Sequence, residues 1–360
     1  MSERIPKESP KSPDKPEKRQ QMVKLYHLDQ QTHAILKKYP AHFLAKGGEH
    51  FVYEIGSKET GDLRDVVVKG SAQMAQVMTR ELEDKGVEKP SDLPFERQEI
   101  FKRYLHEDEQ KYLALRKTFG ADHVMPQRRY IMNVPINEDI AEEIFGEESD
   151  KEDCWTLVTL QKRAKELSES KFAILDMGTE YVERSPVGPS EYARGKAESS
   201  LDRRSSILLM QAMKDPQLRE QVEDFVKKAV TYTENEHEIL DLIGSRNVYF
   251  YKKEQDDGTS RWSYRILDGF YAKPRIKILD KAKAAIGYFE EHGELKNKSE
   301  ANVLMNALAY ARSINAMAKS LGLKERVDIL DDVKEETIEK LLNEIRKKTD
   351  YVDPNMTQKA

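Results

Sequence analysis

The stretch Leu44-Ala-Lys-Gly-Gly-Glu-His-Phe-Val-Tyr-Glu-Ile55, followed by Val66-Val-Val-Lys69, sets paired glycines close to a lysine that ends an apolar run. It reads as a strand, a glycine turn, a second strand, a short hydrophilic hairpin and a third strand. Gly47 and Gly48 carry no Cβ, so the backbone there can approach a polyanion closely and expose its amide N–H groups. Val52 would lie on the face beneath that turn, where an adenine ring could rest. Lys69 would point a cation into the same cleft, and a lysine ending a buried β-branched run needs a partner such as phosphate. An ordinary three-stranded meander with a snorkelling lysine accounts for the same residues.

A second constellation lies in Ile239-Leu-Asp-Leu-Ile-Gly-Ser-Arg-Asn-Val-Tyr-Phe250 and Trp262-Ser-Tyr-Arg-Ile-Leu-Asp-Gly-Phe270. The turn Gln255-Asp-Asp-Gly-Thr259 between them is a strong hairpin signal. Antiparallel pairing would bring Asn247, at the start of one strand, and Asp268, at the end of the other, to the same end of the hairpin. Two oxygen ligands there, completed by water and phosphate oxygens, suit Mg²⁺. Asp241, in the preceding loop, would stand at the same mouth to orient or deprotonate a hydroxyl. The alternative is a purely structural turn that Asp241 braces and Asn247 closes.

Together these segments resemble the protein-kinase-like superfamily. That family combines a glycine-rich loop, a following valine and a third-strand lysine with an aspartate, an asparagine and a strand pair ending in aspartate-glycine. The resemblance spans about Phe43 to Phe270 and implies an α+β, two-lobed fold with a small β-rich N-lobe and a larger, mainly helical C-lobe. It implies an ATP- and Mg²⁺-dependent phosphotransferase whose acceptor is an unknown small molecule or protein. Gly47, Gly48, Val52 and Lys69 would bind nucleotide, with Glu109 pairing with the lysine and backbone groups from Leu160 and Gln161 facing an adenine edge. Glu107 and Asp108 are competing acids on the same helix. Asn247 and Asp268 would hold the metal, and Asp241 would be the catalytic aspartate. Ile239 and Leu240 replace the usual His-Arg or His-Gly pair, and the Asp241–Asn247 gap is one residue longer than usual. Asp268-Gly269-Phe270 inverts the common order of the last two residues. These departures suit a pseudokinase that binds nucleotide or partners without phosphoryl transfer. The short connection from Asp268 to the next helix resembles aminoglycoside- and choline-type kinases or atypical bacterial kinases. An unrelated α+β interaction protein is the third possibility.

The elements that must position these residues follow from periodicity and caps. Residues 1–21 hold four prolines and almost no large apolar side chain, which predicts a mobile tail. Residues 22–160 form the expected N-lobe, 161–350 the helical C-lobe and 351–360 a frayed tail. A helical pattern covers Met22–Tyr39. Gln73–Lys85 is amphipathic and stops at Gly86, and Pro94–Phe119 is a long charged helix stopping at Gly120. Arg128–Val134 and Trp155–Leu160 read as strands flanking an acidic insert with a short helix. Glu183–Ser206 reads as a surface loop, with Arg203 and Arg204 solvated. Further helices cover Leu218–Asn235, Lys273–Glu291, Glu300–Leu321 and Glu335–Lys348.

Bulk properties narrow the function classes. Charged residues make up 35% of the 360, yet the net charge is only −5 with both signs interspersed, which gives no support to nucleic-acid binding. The single cysteine, Cys154, excludes a disulfide framework and a multi-cysteine zinc site. No apolar run reaches the ~18 residues of a membrane span, and no signal-peptide core opens the chain, so a cytoplasmic protein without a membrane partner is expected.

Overall fold

A computed structural model describes residues 41–46, 50–55, 66–146, 149, 151–162, 164, 172–175, 188–196, 200, 201, 203–242, 247–255, 258–268 and 277–349. The expected tails, the Met22–Tyr39 helix, Gly47, Gly48, Gly269 and Phe270 lie outside these residues. The fold is α+β, in two compact units: residues 1–105 with 127–162, and residues 106–126 with 163–360.

In the first unit, β1 (Ala41–Lys46), β2 (His50–Ile55), β3 (Val66–Ser71), β4 (Gln127–Pro135) and β5 (Asp153–Lys162) form one antiparallel sheet in the order β1-β2-β3-β5-β4. Strand alternation sends Phe51, Val68, Tyr130, Met132, Val134, Cys154 and Val158 into one core, shared with Ala75 of α1 (Ala72–Lys85) and with Ile140 and Ile144 of α3 (Glu138–Phe145). From the other face, Ile131, Trp155 and Leu157 pack against Met74, Met78 and Leu82 of α1 and Phe101 of α2 (Phe95–Phe119). Helices therefore cover both sides of the β4–β5 pair, which is why β5 reads as a mixture of apolar residues and threonine. Ser71 caps α1 through a 3.3 Å bond from Met74 N, and Gly86 ends it in the left-handed region at φ 63°. Gly70 faces Phe51 across the ladder, where a Cβ would stand 2.2 Å from the ring. Cys154 is buried opposite Val134, and burial pushes its thiol up to about 12.

The second unit contains a three-stranded antiparallel sheet of β6 (Phe172–Leu175), β7 (Val248–Glu254) and β8 (Ser260–Ile266). Its turn closes through Gln255 N to Thr259 O at 2.8 Å and Gly258 N to Gln255 O at 3.0 Å. Val248, Phe250, Tyr264 and Ile266 face a core built from α4 (Pro189–Ala193), α5 (Arg203–Ala212), α6 (Pro216–Glu236), α7 (Ile278–His292), α8 (Lys298–Leu321) and α9 (Glu335–Thr349). Residues 106–126, expected with the N-lobe, belong to this unit because Tyr112, Leu115, Phe119 and Val124 are part of its core.

A further expectation is corrected. Glu183–Ser206 is not a surface loop throughout: it includes α4 and the start of α5, and Ser190, Tyr192, Ala193, Ser200 and Ser205 are buried. Its polar composition hides anchoring. The Arg312 guanidinium lies 4.6 Å from the Tyr192 ring centre, Ser200 Oγ donates to Tyr192 O at 3.1 Å, and Arg194 donates to Val333 O at 2.7 Å. Arg203 and Arg204 are exposed, as read from the sequence. Strand β6 was not anticipated.

Gly195 shows how tightly this region packs. At φ 68° a Cβ would stand 2.2 Å from Arg312 O. Gly195→Ala should cost about 2–4 kcal/mol, combining left-handed strain with overpacking. Gly86→Ala, with φ 63° but open space, should cost only about 1 kcal/mol. Urea unfolding of both variants measures the difference; equal losses would contradict this packing.

Candidate functional site

The first unit places Lys69 in a straight cross-strand row. Val52 pairs with Lys69, Lys69 with Thr159, and Thr159 with Arg129. Directly opposed residues point to one face, so these four side chains share it. Val52 and Lys69 are both half-buried. One step along the same face, Val67, Gln161 and Gln127 are paired. Arg129 and Gln161 are 5% and 4% exposed. Arg129 Nη2 donates to Gln127 Oε1 at 2.6 Å, and Gln127 Nε2 donates to Gln161 Oε1 at 3.5 Å. Sequence reasoning missed this buried polar group because it depends on register between distant segments.

The same ladder corrects the expected adenine-facing hinge. Leu160 pairs with Val68 and Arg128, and Gln161 with Val67 and Gln127. Both residues are strand interior with neighbours on either side, so their backbone groups serve the sheet. Strand β5 outlasts its predicted end because β3 runs back to Val66, which pairs with Lys162. Glu109, with Glu107 and Asp108, is half-buried on the part of α2 that belongs to the second unit, whereas Lys69 belongs to the first.

In the second unit, Asp241, Asn247 and the chain leading to Asp268 are brought together. The β7–β8 ladder ends at the Val248–Ile266 pair, and Leu267 N then donates to Asn247 O at 2.8 Å. Asn247 Nδ2 donates to Asp241 O, also at 2.8 Å. Asp241 sits in a tight turn between two buried anchors, Leu240 and Leu242, with Leu242 N bonded to Leu240 O at 3.0 Å. Ile239 and Leu240, just before this turn, are core residues of this unit.

This end of the hairpin has a limited but suitable donor set for Mg²⁺. The bond from Nδ2 to Asp241 O orients the Asn247 amide with Oδ1 as its acceptor, and Asp268 supplies a half-buried carboxylate. Among the described residues no group of three or more His, Cys, Asp or Glu side chains could hold a metal. Mg²⁺ needs no such cage, since it is usually bound by one or two protein oxygens plus water and substrate phosphates.

Two supports were not legible in the sequence. Residues 123–125 form a bridge to β8, with Ile266 N donating to His123 O at 2.7 Å and Met125 N to Ile266 O at 3.0 Å. His123 stacks on Tyr264 with ring centres 3.9 Å apart, and its Nδ1 donates to Tyr264 O at 3.0 Å. Burial holds the His123 imidazole below its usual range. The second support is Glu238, 5% exposed and 3.0 Å from Lys111 Nζ, three residues before Asp241.

Comparisons with protein families, curated proteins and solved structures find no match to this chain. Among the described residues no helix is long and apolar enough to cross a membrane.

Burial holds the Glu238 carboxyl above its ordinary range, and Lys111 pulls it back. Because folding raises this pKa, its stabilising contribution is complete below about pH 4 and is lost as pH rises through the folded value. Lys111→Met should destabilise by about 3–5 kcal/mol near neutral pH, where a buried carboxylate loses its partner. The loss should be smaller under acid conditions, and Glu238→Gln should abolish this limb of the pH dependence. Urea unfolding on both sides of neutrality checks the sign; a Lys111→Met deficit that does not grow with pH would contradict it.

Proposed function

We propose that the chain is an ATP- and Mg²⁺-dependent phosphotransferase of protein-kinase-like, two-lobed architecture, acting on a hydroxyl acceptor. The observation that carries this is the double bonding of Asn247: its side chain holds the Asp241 carbonyl, and its own carbonyl holds the strand end leading to Asp268. Hydrogen bonds thus join Asp241, Asn247 and Leu267, the residue before Asp268, and the order aspartate, asparagine, aspartate along the chain is the one the family uses. Support also comes from the first unit, where three strands, helices and two further strands build one antiparallel sheet with Val52 opposite Lys69.

In this role Lys69 would bind nucleotide phosphate oxygens, and Asn247 and Asp268 would hold Mg²⁺. When bound, the metal neutralises charge on the phosphate oxygens. Asp241 orients the acceptor hydroxyl and takes its proton, and its turn is stiffened by Leu240, Leu242 and the Asn247 amide. The chain's contribution is mainly positioning and fixed charge.

A pseudokinase is the second reading, and one observation favours it. Ile239 and Leu240 are buried in the core, so neither offers a polar side chain to brace Asp241. Thermal melts with ATP and Mg²⁺, together with phosphate release or transfer by wild type, Lys69→Met and Asp268→Ala, separate the two. A phosphotransferase should gain thermal stability from ATP–Mg²⁺. Asp268→Ala should lose about a hundredfold or more in turnover, and Lys69→Met should lose most of the thermal gain. Equal background turnover in wild type and Asp268→Ala, with ATP still bound, would select the pseudokinase. Absence of any nucleotide effect on wild type would sink both.

A further inference from the structure

We infer that Tyr310 is a positioning residue for Asp241, acting through the backbone of Leu240. The inference rests on Asp241 as the group that takes the acceptor's proton. Tyr310 lies in the middle of α8 between Ala309 and Ala311, and it is 1% exposed in the core of the second unit. Its hydroxyl is 2.9 Å from Thr233 Oγ1 and donates to Ala229 O at 3.2 Å, both on α6. The same oxygen accepts from the Leu240 N–H. Tyr310 thus ties two helices of the core to the residue that precedes Asp241.

The start of this segment is fastened by other groups. His237 O accepts from Leu279 N at 3.1 Å, and the Glu238 carboxylate accepts from the Ile278 N–H and pairs with Lys111. Those bonds act three or four residues before Asp241. The side chains of Ile239 and Leu240 that follow are apolar and buried, so hydrogen bonds can hold them only by the backbone. Leu240 is held on both sides, its N–H by Tyr310 and its carbonyl by Leu242 N at 3.0 Å. Asn247 Nδ2 then takes the Asp241 carbonyl at 2.8 Å. The Tyr310 bond is therefore a direct link from the helical core to the turn that carries the carboxylate.

A phenol suits this place because one oxygen can accept from an N–H and donate to a carbonyl at the same time. Phenylalanine would fill nearly the same volume and do neither. The Leu240 N–H, in a residue 1% exposed, would then lose its acceptor, and a buried N–H without one draws the chain toward another partner. A base displaced by about 1 Å can lose about a hundredfold in rate.

The test uses the full chain and compares Tyr310→Phe with Thr233→Val, which removes a buried hydrogen bond on the far side of the same hydroxyl. Two readouts are taken: phosphate release from ATP–Mg²⁺ with water as acceptor, and hydrogen exchange over residues 237–242 by mass spectrometry. Tyr310→Phe should lower kcat at least about tenfold and leave KM for ATP within about twofold. It should speed exchange of the protected N–H in that segment at least about tenfold. Added to Asp241→Asn it should cause no further loss of kcat, because both changes act through one carboxylate. Thr233→Val should melt earlier yet keep kcat and exchange near those of wild type. Accelerated exchange in Tyr310→Phe beside a wild type with no turnover would support the tether and count against the phosphotransferase reading instead. Unchanged exchange in Tyr310→Phe, unchanged kcat in an active enzyme, or an equal loss of kcat in Thr233→Val would overturn the inference.

Discussion

Asn247 joins two segments that are far apart in sequence, and the organisation of the hairpin end depends on it. Its amide nitrogen holds the carbonyl of Asp241, while its backbone carbonyl holds the N–H that precedes Asp268. The side chain must donate to a carbonyl oxygen, which an amide does through its NH₂ group. An ionised carboxylate at this position would set oxygen against the Asp241 carbonyl. Around this bond, Leu240 and Leu242 anchor one arm in the core, and Ile266, held by residues 123–125 as well as by β7, anchors the other.

The first unit solves a different problem. Its sheet has apolar clusters on both faces, yet one face also carries Lys69, Thr159, Arg129, Gln161 and Gln127 in adjacent rows. Buried polar groups must be paired to be tolerated, and the bonds among Arg129, Gln127 and Gln161 meet part of that demand. A sheet face with this much fixed polarity is more specific in shape than an oily one, because each residue's orientation is set by its neighbour's donors and acceptors.

Much of the fold was legible where the signal was local. Gly86 ended α1 at the expected residue, the turn around Gly258 produced the expected hairpin, and the periodic stretches near Glu300–Leu321 and Glu335–Lys348 became α8 and α9. The pairing of Val52 with Lys69 was within reach because the two strands follow one another closely in sequence. What was not legible depends on distant partners. Strand β6 has four residues, and its partner β7 lies more than seventy positions later. Helix α4 hides in a serine- and proline-rich stretch because its anchors, Arg312 and Val333, come from far along the chain. In a chain that is 35% charged, nothing in the sequence separates Lys111 and Glu238 from their many exposed counterparts.

The lone cysteine has a practical corollary. Cys154 is deep in the first unit's sheet, and its raised pKa leaves almost no thiolate at neutral pH. Alkylating reagents and oxidants therefore have nothing to attack until that sheet opens. The rate at which the thiol becomes modified reports how often one half of this protein breathes, without any engineered label and without interference from the other half.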